Sequence, residues 1–168
     1  PLVGGHSAEG VEMSLGLTVT GAIELPTLTK SGLRPGDHLL VTKPLGTGAI
    51  MAGQMRGKVA SDVLALALES MDTSNAGALE VLREHGVTAA TDVSGFGLLG
   101  HLGEMLRASK TGVEIDLNSV PVFSGALDLL TGGIASSLQK NNEMVLQDFS
   151  LNGCDASDSR VRVLVDPQ

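Results

Sequence analysis

An α+β domain, with a mixed β-sheet covered by helices, is the fold this sequence predicts. Three observations lead there. Strand-like and helix-like apolar patterns share the chain without alternating as a clean βαβ repeat. Two helical patterns arrive together between Ser61 and Gly86, as in folds that segregate helices to one face of a sheet. Glycine, at 22 residues, clusters where apolar segments begin or end, which marks turns and close backbone approach.

The elements follow in chain order. Residues 13–24 alternate, with Leu15, Leu17 and Val19 on one side and Ser14, Thr18 and Thr20 on the other. Period two with Val and Thr predicts a half-buried strand, ended by Pro26. Arg34-Pro35-Gly36-Asp37 is a turn with Pro preset at its second position, and residues 38–42 follow as a short buried strand. Residues 49–55 read as a helix. Ser61-Asp62 is placed to cap the next one, whose Val63, Leu64, Ala67, Leu68 and Met71 share a broad face. Ser74 or Asn75 opens another helix carrying Leu79, Leu82 and Arg83, with Gly86 where a C-terminal glycine belongs. Residues 87–93 are predicted as a strand. Residues 97–108 are predicted as a helix, with Leu98, Leu99, Leu102, Met105 and Leu106 at helical spacing. A strand over 113–117, a short helix over 124–130 ended by Gly132-Gly133, a helix over 139–149 and a final strand over 160–165 complete the reading.

Composition narrows the function. The 168 residues amount to about one domain, and no repeat or low-complexity linker marks a boundary. Hydrophobic residues at 42% and charged residues at 18% argue against a wholly disordered chain. A net charge of −8 repels phosphate backbones, and three Phe with no Trp or Tyr leave almost nothing to stack on bases, so nucleic acid is a poor partner. No apolar run approaches the roughly 18 residues of a membrane span, at a mean hydropathy of +0.23. The lone Cys154 cannot form an internal disulfide and reads as an ordinary free thiol, with a reducing cytoplasm as the default compartment. Pro1 at the start, and an end that reads as a strand cut off entering a turn, are the expected marks of a fragment of a longer protein.

The strongest chemical segment is Thr91-Asp92-Val93-Ser94-Gly95-Phe96-Gly97-Leu98-Leu99-Gly100-His101-Leu102. An acidic residue before a glycine turn that opens a helix pairs a carboxylate for Mg²⁺ with oriented N–H groups for phosphate. The alternative is that Asp92 merely caps the turn. Gly4-Gly5-His6-Ser7 lets backbone approach a ligand and adds side-chain donors, or is simply a flexible terminus. Residues 43–48 resemble a phosphate loop, but Lys43 precedes the glycines, so a structural turn is the better reading. His38, His85 and His101 show no metal-ligand spacing, and no Ser-His-Asp arrangement emerges.

Gly4-Gly5-His6-Ser7, Leu17-Thr18-Val19-Thr20-Gly21, Leu40-Val41-Thr42-Lys43-Pro44-Leu45-Gly46-Thr47-Gly48, the segment from Thr91 to Leu102 and Asp166-Pro167-Gln168 occur in an order that resembles the selenophosphate synthetase (selenide, water dikinase) family. The resemblance covers essentially the whole chain and matches the C-terminal part of that enzyme. It implies an aminoimidazole ribotide synthetase-like C-terminal domain spanning 1–168, truncated at its C-terminal end. It also implies a parent reaction that turns selenide, ATP and water into selenophosphate, AMP and orthophosphate with Mg²⁺. Carried over by motif, Asp92 resembles the family's Mg²⁺ ligand, and Gly5, His6 and Ser7 resemble its ATP-contacting stretch. The family's catalytic Cys or selenocysteine, its catalytic Lys and most metal-binding Asp residues lie in an N-terminal domain upstream. No catalytic residue is therefore expected within these residues, and Cys154 does not match the nucleophile. The implied partners are ATP, selenide and the chain's own N-terminal domain, in a homodimeric parent. A non-catalytic binding or assembly module, or the matching domain of another ATP-dependent synthetase or kinase of the superfamily, is the alternative.

Overall fold

The computed structural model describes residues 3–22 and 27–168. The expected stop at Pro26 and the end of the 13–24 strand lie outside the described residues. The described body is helical. Its α-helices are α1 (Thr47–Gln54), α2 (Ser61–Asp72), α3 (Ala76–Glu84), α4 (Gly97–Ser109), α5 (Ala126–Thr131), α6 (Gln139–Asn142) and α7 (Ser159–Arg162). A 3₁₀ helix, Glu143–Asp148, follows α6, and another, Val163–Val165, follows α7.

One core sits where α1, α5 and the Val163–Val165 turn meet. Leu45, Ala49, Ile50, Ala126, Leu130 and Val165 are fully buried there, with Leu99 of α4 and Ala67 of α2 closing its sides. Burying such side chains stabilises by about 1.5–3 kcal/mol each for the larger ones. Gly46 shows how close the elements come. It has φ +113°, and a Cβ there would lie 2.5 Å from the Cβ of Ala126. Only glycine accepts both that dihedral and that approach.

The predicted mixed sheet is not formed. Among the described residues no strand is present, and strand-like pairing is limited to two isolated parallel bridges, Thr29 with Ala89 and Leu45 with Val122. A strand exists only if a neighbour takes its N–H and C=O groups. The 13–22 stretch finds none among the described residues: Met13, Leu15, Leu17 and Val19 are 78–100% exposed. The 38–42 stretch is likewise unpaired, with Leu40 exposed. Residues 87–93 contribute only the Ala89 bridge. After residues 113–115 the chain turns instead of extending, because Asp116 accepts the N–H of Asn118 and the hydroxyl of Ser119.

The 160–165 segment is helical for a different reason. Asp158 caps α7, its carboxylate accepting the Arg160 N–H at 2.8 Å. Hydrogen bonds from Arg160 hold that carboxyl below its ordinary range. Val161, Val163, Leu164 and Val165 are buried while Arg160 is exposed and Arg162 half-buried, so Arg-Val-Arg-Val imitates the alternation of a strand although the Asp158 cap starts a helix there.

The helical readings fare better. α4 starts at the predicted Gly97 and extends one residue further than expected. α3 opens after Asn75, with Ser74 Oγ accepting the Ala76 N–H. It ends in a Schellman turn at Gly86 (φ +65°), where Gly86 N–H reaches Arg83 O and Val87 N–H reaches Leu82 O. In α2, Ser61 is the first helical residue rather than a side-chain cap, and Leu68 and Met71 of its expected buried face are exposed.

Candidate functional site at the start of α4

Two glycine turns open helices onto neighbouring parts of the fold, and both had been readable as anion sites. The first, at α1, is filled from the end of the chain. Gln168 Oε1 accepts the N–H of Gly46 at 3.0 Å and of Thr47 at 3.3 Å, Pro167 O accepts Gly48 N–H at 2.9 Å, and Asp166 Oδ2 accepts Ala49 N–H at 3.1 Å. The free N–H groups of a helix start thus find partners. Lys43, the residue that gave this loop its phosphate-binding look, points elsewhere. Its Nζ donates to Ser70 O and Thr73 O and so caps the C-terminal end of α2. The structural reading of residues 43–48 holds.

Asp166 is fully buried, and its Oδ1 has no hydrogen-bond partner. Burial pushes its carboxyl up to about 6, outweighing the Ala49 and Gly48 N–H groups that favour the charged form.

The second turn is joined to the same tail. Gln168 N–H donates to Ser94 O, and Asn142 Nδ2 donates both to Gly95 O and to Val165 O. Gly97, at φ +70°, lies so close to Val165 that a Cβ would meet its backbone at 2.7 Å. These contacts fix the path of the turn against the core.

On that anchored turn Asp92 stands outward, its side chain 68% exposed. Its Oδ2 accepts the hydroxyl of Ser94 at 3.1 Å. Ser94 Oγ also lies 3.3 Å from His101 Nε2. His101 Nδ1 lies 4.0 Å from Asp92 Oδ1. The three side chains, all within the segment from Thr91 to Leu102, form one cluster. Their spacing explains it: Gly97, His101 and Met105 fall one turn apart on the buried face of α4, which sets the imidazole one turn inside the helix, behind Ser94. The His101 side chain is 7% exposed and its Nδ1 has no hydrogen-bond partner, nor has the buried Thr91 Oγ1 beside Asp92. An unpaired buried polar atom costs about 1–3 kcal/mol, and two of them flank the one exposed carboxylate of the turn. Phe96, itself exposed, lies with its ring centroid 5.7 Å from that of His101.

As a metal ligand, Asp92 offers hard oxygen donors, which suit Mg²⁺. Among the described residues no three carboxylate, imidazole or thiol groups converge. Asp92 therefore fits as a single protein ligand in a shell completed by other groups, not as a self-sufficient site. Gly5, His6 and Ser7 lie in the exposed N-terminal stretch. No recorded hydrogen bond or ion pair joins them to the Asp92 turn, so the structure does not bring the two predicted parts of the site together. Cys154 is an exposed free thiol. No helix is long and apolar enough to cross a membrane among the described residues.

Comparison with known proteins gives the chain's family. A selenide, water dikinase of Carboxydothermus hydrogenoformans is 38% identical over 170 residues, covering all of this chain and 49% of that protein. One from Geobacter metallireducens is 38% identical over 169 residues, 99% of this chain and 49% of its own length. One from Nitratidesulfovibrio vulgaris is 43% identical over 135 residues, 79% of this chain and 38% of its own length. The chain spans about half the length of the first of these relatives and aligns with their C-terminal half. The sequence pattern of the family described as AIR synthase related protein, C-terminal domain, matches residues 34–168, the stretch that contains the packed body. On that match the chain belongs to the AIR synthase related protein C-terminal domain family.

Proposed function

We propose that residues 1–168 form the C-terminal domain of an ATP-dependent selenophosphate synthetase. The parent reaction converts selenide, ATP and water into selenophosphate, AMP and orthophosphate. In this reading Asp92 is the domain's one Mg²⁺ ligand, and Gly5, His6 and Ser7 contact ATP. Bound Mg²⁺ would neutralise charge on the phosphates. The chain's own part is to hold Asp92 outward on a fixed turn, with the N-terminal glycines beside the nucleotide. The nucleophile and the remaining carboxylates would come from a preceding domain. The observation that carries this reading is the exposed, hydrogen-bonded Asp92 at the opening of α4, within a chain whose relatives are selenide, water dikinases.

The test is ATP-dependent selenophosphate formation by the full-length protein, with and without Asp92→Asn. Asn keeps the size and one oxygen but removes the charge. Phosphoryl transfer is dominated by positioning and electrostatics, so the loss should be about 2–4 kcal/mol of transition-state stabilisation, or roughly 30- to 1,000-fold in rate. A wild-type rate with wild-type Mg²⁺ dependence would reduce Asp92 to a turn cap.

A further inference from the structure

From the cluster behind the Asp92 turn we infer that Ser94 and His101 are positioning residues that aim the Asp92 carboxylate at a divalent cation. The inference rests on the reading of Asp92 as a metal ligand and adds the device that makes an exposed side chain a defined one.

A carboxylate that is 68% exposed is normally free to rotate. Here each oxygen has a neighbour. Ser94 Oγ–H donates to Oδ2 at 3.1 Å. A serine hydroxyl has one hydrogen, so toward His101 Ser94 Oγ accepts, and Nε2–H at 3.3 Å is the donor. The chain of donors therefore runs His101 to Ser94 to Asp92. Packing holds its inner end still, since the imidazole is on the buried face of α4 with Leu102 and Met105. Nδ1 of the same ring faces Oδ1 from 4.0 Å. The Ser94 bond to Oδ2 restrains the rotation of the carboxylate, and Oδ1 is left without a hydrogen bond. Its remaining lone pairs point to solvent, where a cation can take them. Outer partners of this kind orient metal-ligating carboxylates and change affinity when removed. The unpartnered Nδ1 belongs to the same picture: the ring sits where it serves Ser94, not where both of its nitrogens are satisfied.

The experiment uses the full-length protein with Mn²⁺ and a non-hydrolysable ATP analogue, bound Mn²⁺ being read from water-proton relaxation. Ser94→Ala and His101→Ala should each weaken Mn²⁺ by about tenfold. Ser94→Thr, which keeps the hydroxyl, and His101→Gln, which keeps an N–H near the position of Nε2, should recover most of that loss. In turnover the same variants should raise the Mg²⁺ concentration for half-maximal rate more than they lower the rate at saturating Mg²⁺. Thermal unfolding separates these effects from loss of fold, and half-buried Ser94 decides the matter should His101→Ala not fold. A folded Ser94→Ala with wild-type Mn²⁺ affinity, beside an Asp92→Asn that has lost it, would overturn the positioning role and leave the ligand role standing. Unchanged affinity in Asp92→Asn itself would remove the ligand role, and the positioning role with it.

Discussion

At the start of α1 the first N–H groups are met by Gln168, Pro167 and Asp166, and the loop that leads in is buried from Leu45 to Thr47. At the start of α4 no side chain caps the helix, and the carboxylate that precedes it points into solvent. Both are glycine turns opening helices, and Gln168 hydrogen-bonds to both, through its side chain at α1 and its backbone N–H at Ser94. The difference is what fills them. Oriented N–H groups attract an anion only while nothing in the protein already supplies one. At α1 the protein supplies its own acceptors, and the turn becomes a clasp that ties the tail to the core. At α4 it leaves an exposed carboxylate instead, the one proposed here as a metal ligand.

Breaking the clasp should be a stability event. The largest effect is expected from Gly46→Ala. The new Cβ would have to displace Ala126 and adopt φ near +113°. Overpacking and backbone strain together should cost about 4 kcal/mol, seen as a sharp fall in the unfolding temperature.

Asp166→Asn should act in the opposite direction. A carboxyl raised to about 6 in the fold, against 3.8 ordinarily, binds its proton more tightly folded than unfolded. Its contribution is therefore most favourable below pH 4 and is lost as pH rises toward 6. The gap is worth about 3 kcal/mol. Asn should raise stability near pH 7 by up to about that amount and change little at pH 4. Comparing the pH profiles of the two proteins by thermal denaturation checks both size and sign. Gln168→Ala should cost only about 1 kcal/mol, the scale of a lost helix cap, and is measurable by denaturant titration.

The same contrast explains what the sequence could reveal. Helices satisfy their own backbones, so local signals found them: α4 from its glycine start and spacing, α3 from Ser74, Asn75 and Gly86. Strands need partners distant in the chain. The alternation of Leu15, Leu17 and Val19 was a sound local pattern, and nothing local could say that those residues stand exposed. In 160–165 the alternation of Arg160, Val161, Arg162 and Val163 imitates a strand, although Asp158-Ser159 did carry a helix-start signal. At the candidate site, the exposed position of Asp92 before the α4 turn was legible from an acidic residue ahead of a glycine turn. Its tie to Ser94 and His101 was legible only in hindsight, from the Gly97, His101 and Met105 stripe. The filling of α1 was not legible, because its acceptors lie about 120 residues away.

The smallest expected effect on stability, within about 0.5 kcal/mol, belongs to Asp92→Asn, since the side chain is mostly exposed. That makes a paired measurement the most direct test. In the full-length protein, Asp92→Asn and Asp166→Asn are compared for thermal unfolding at pH 7 and for the Mg²⁺ concentration giving half-maximal rate. The clasp-and-ligand account predicts that Asp92→Asn raises the Mg²⁺ requirement and leaves unfolding unchanged, while Asp166→Asn raises the unfolding temperature and leaves the Mg²⁺ requirement unchanged. The reverse pattern, or the same shift in both variants, would contradict it.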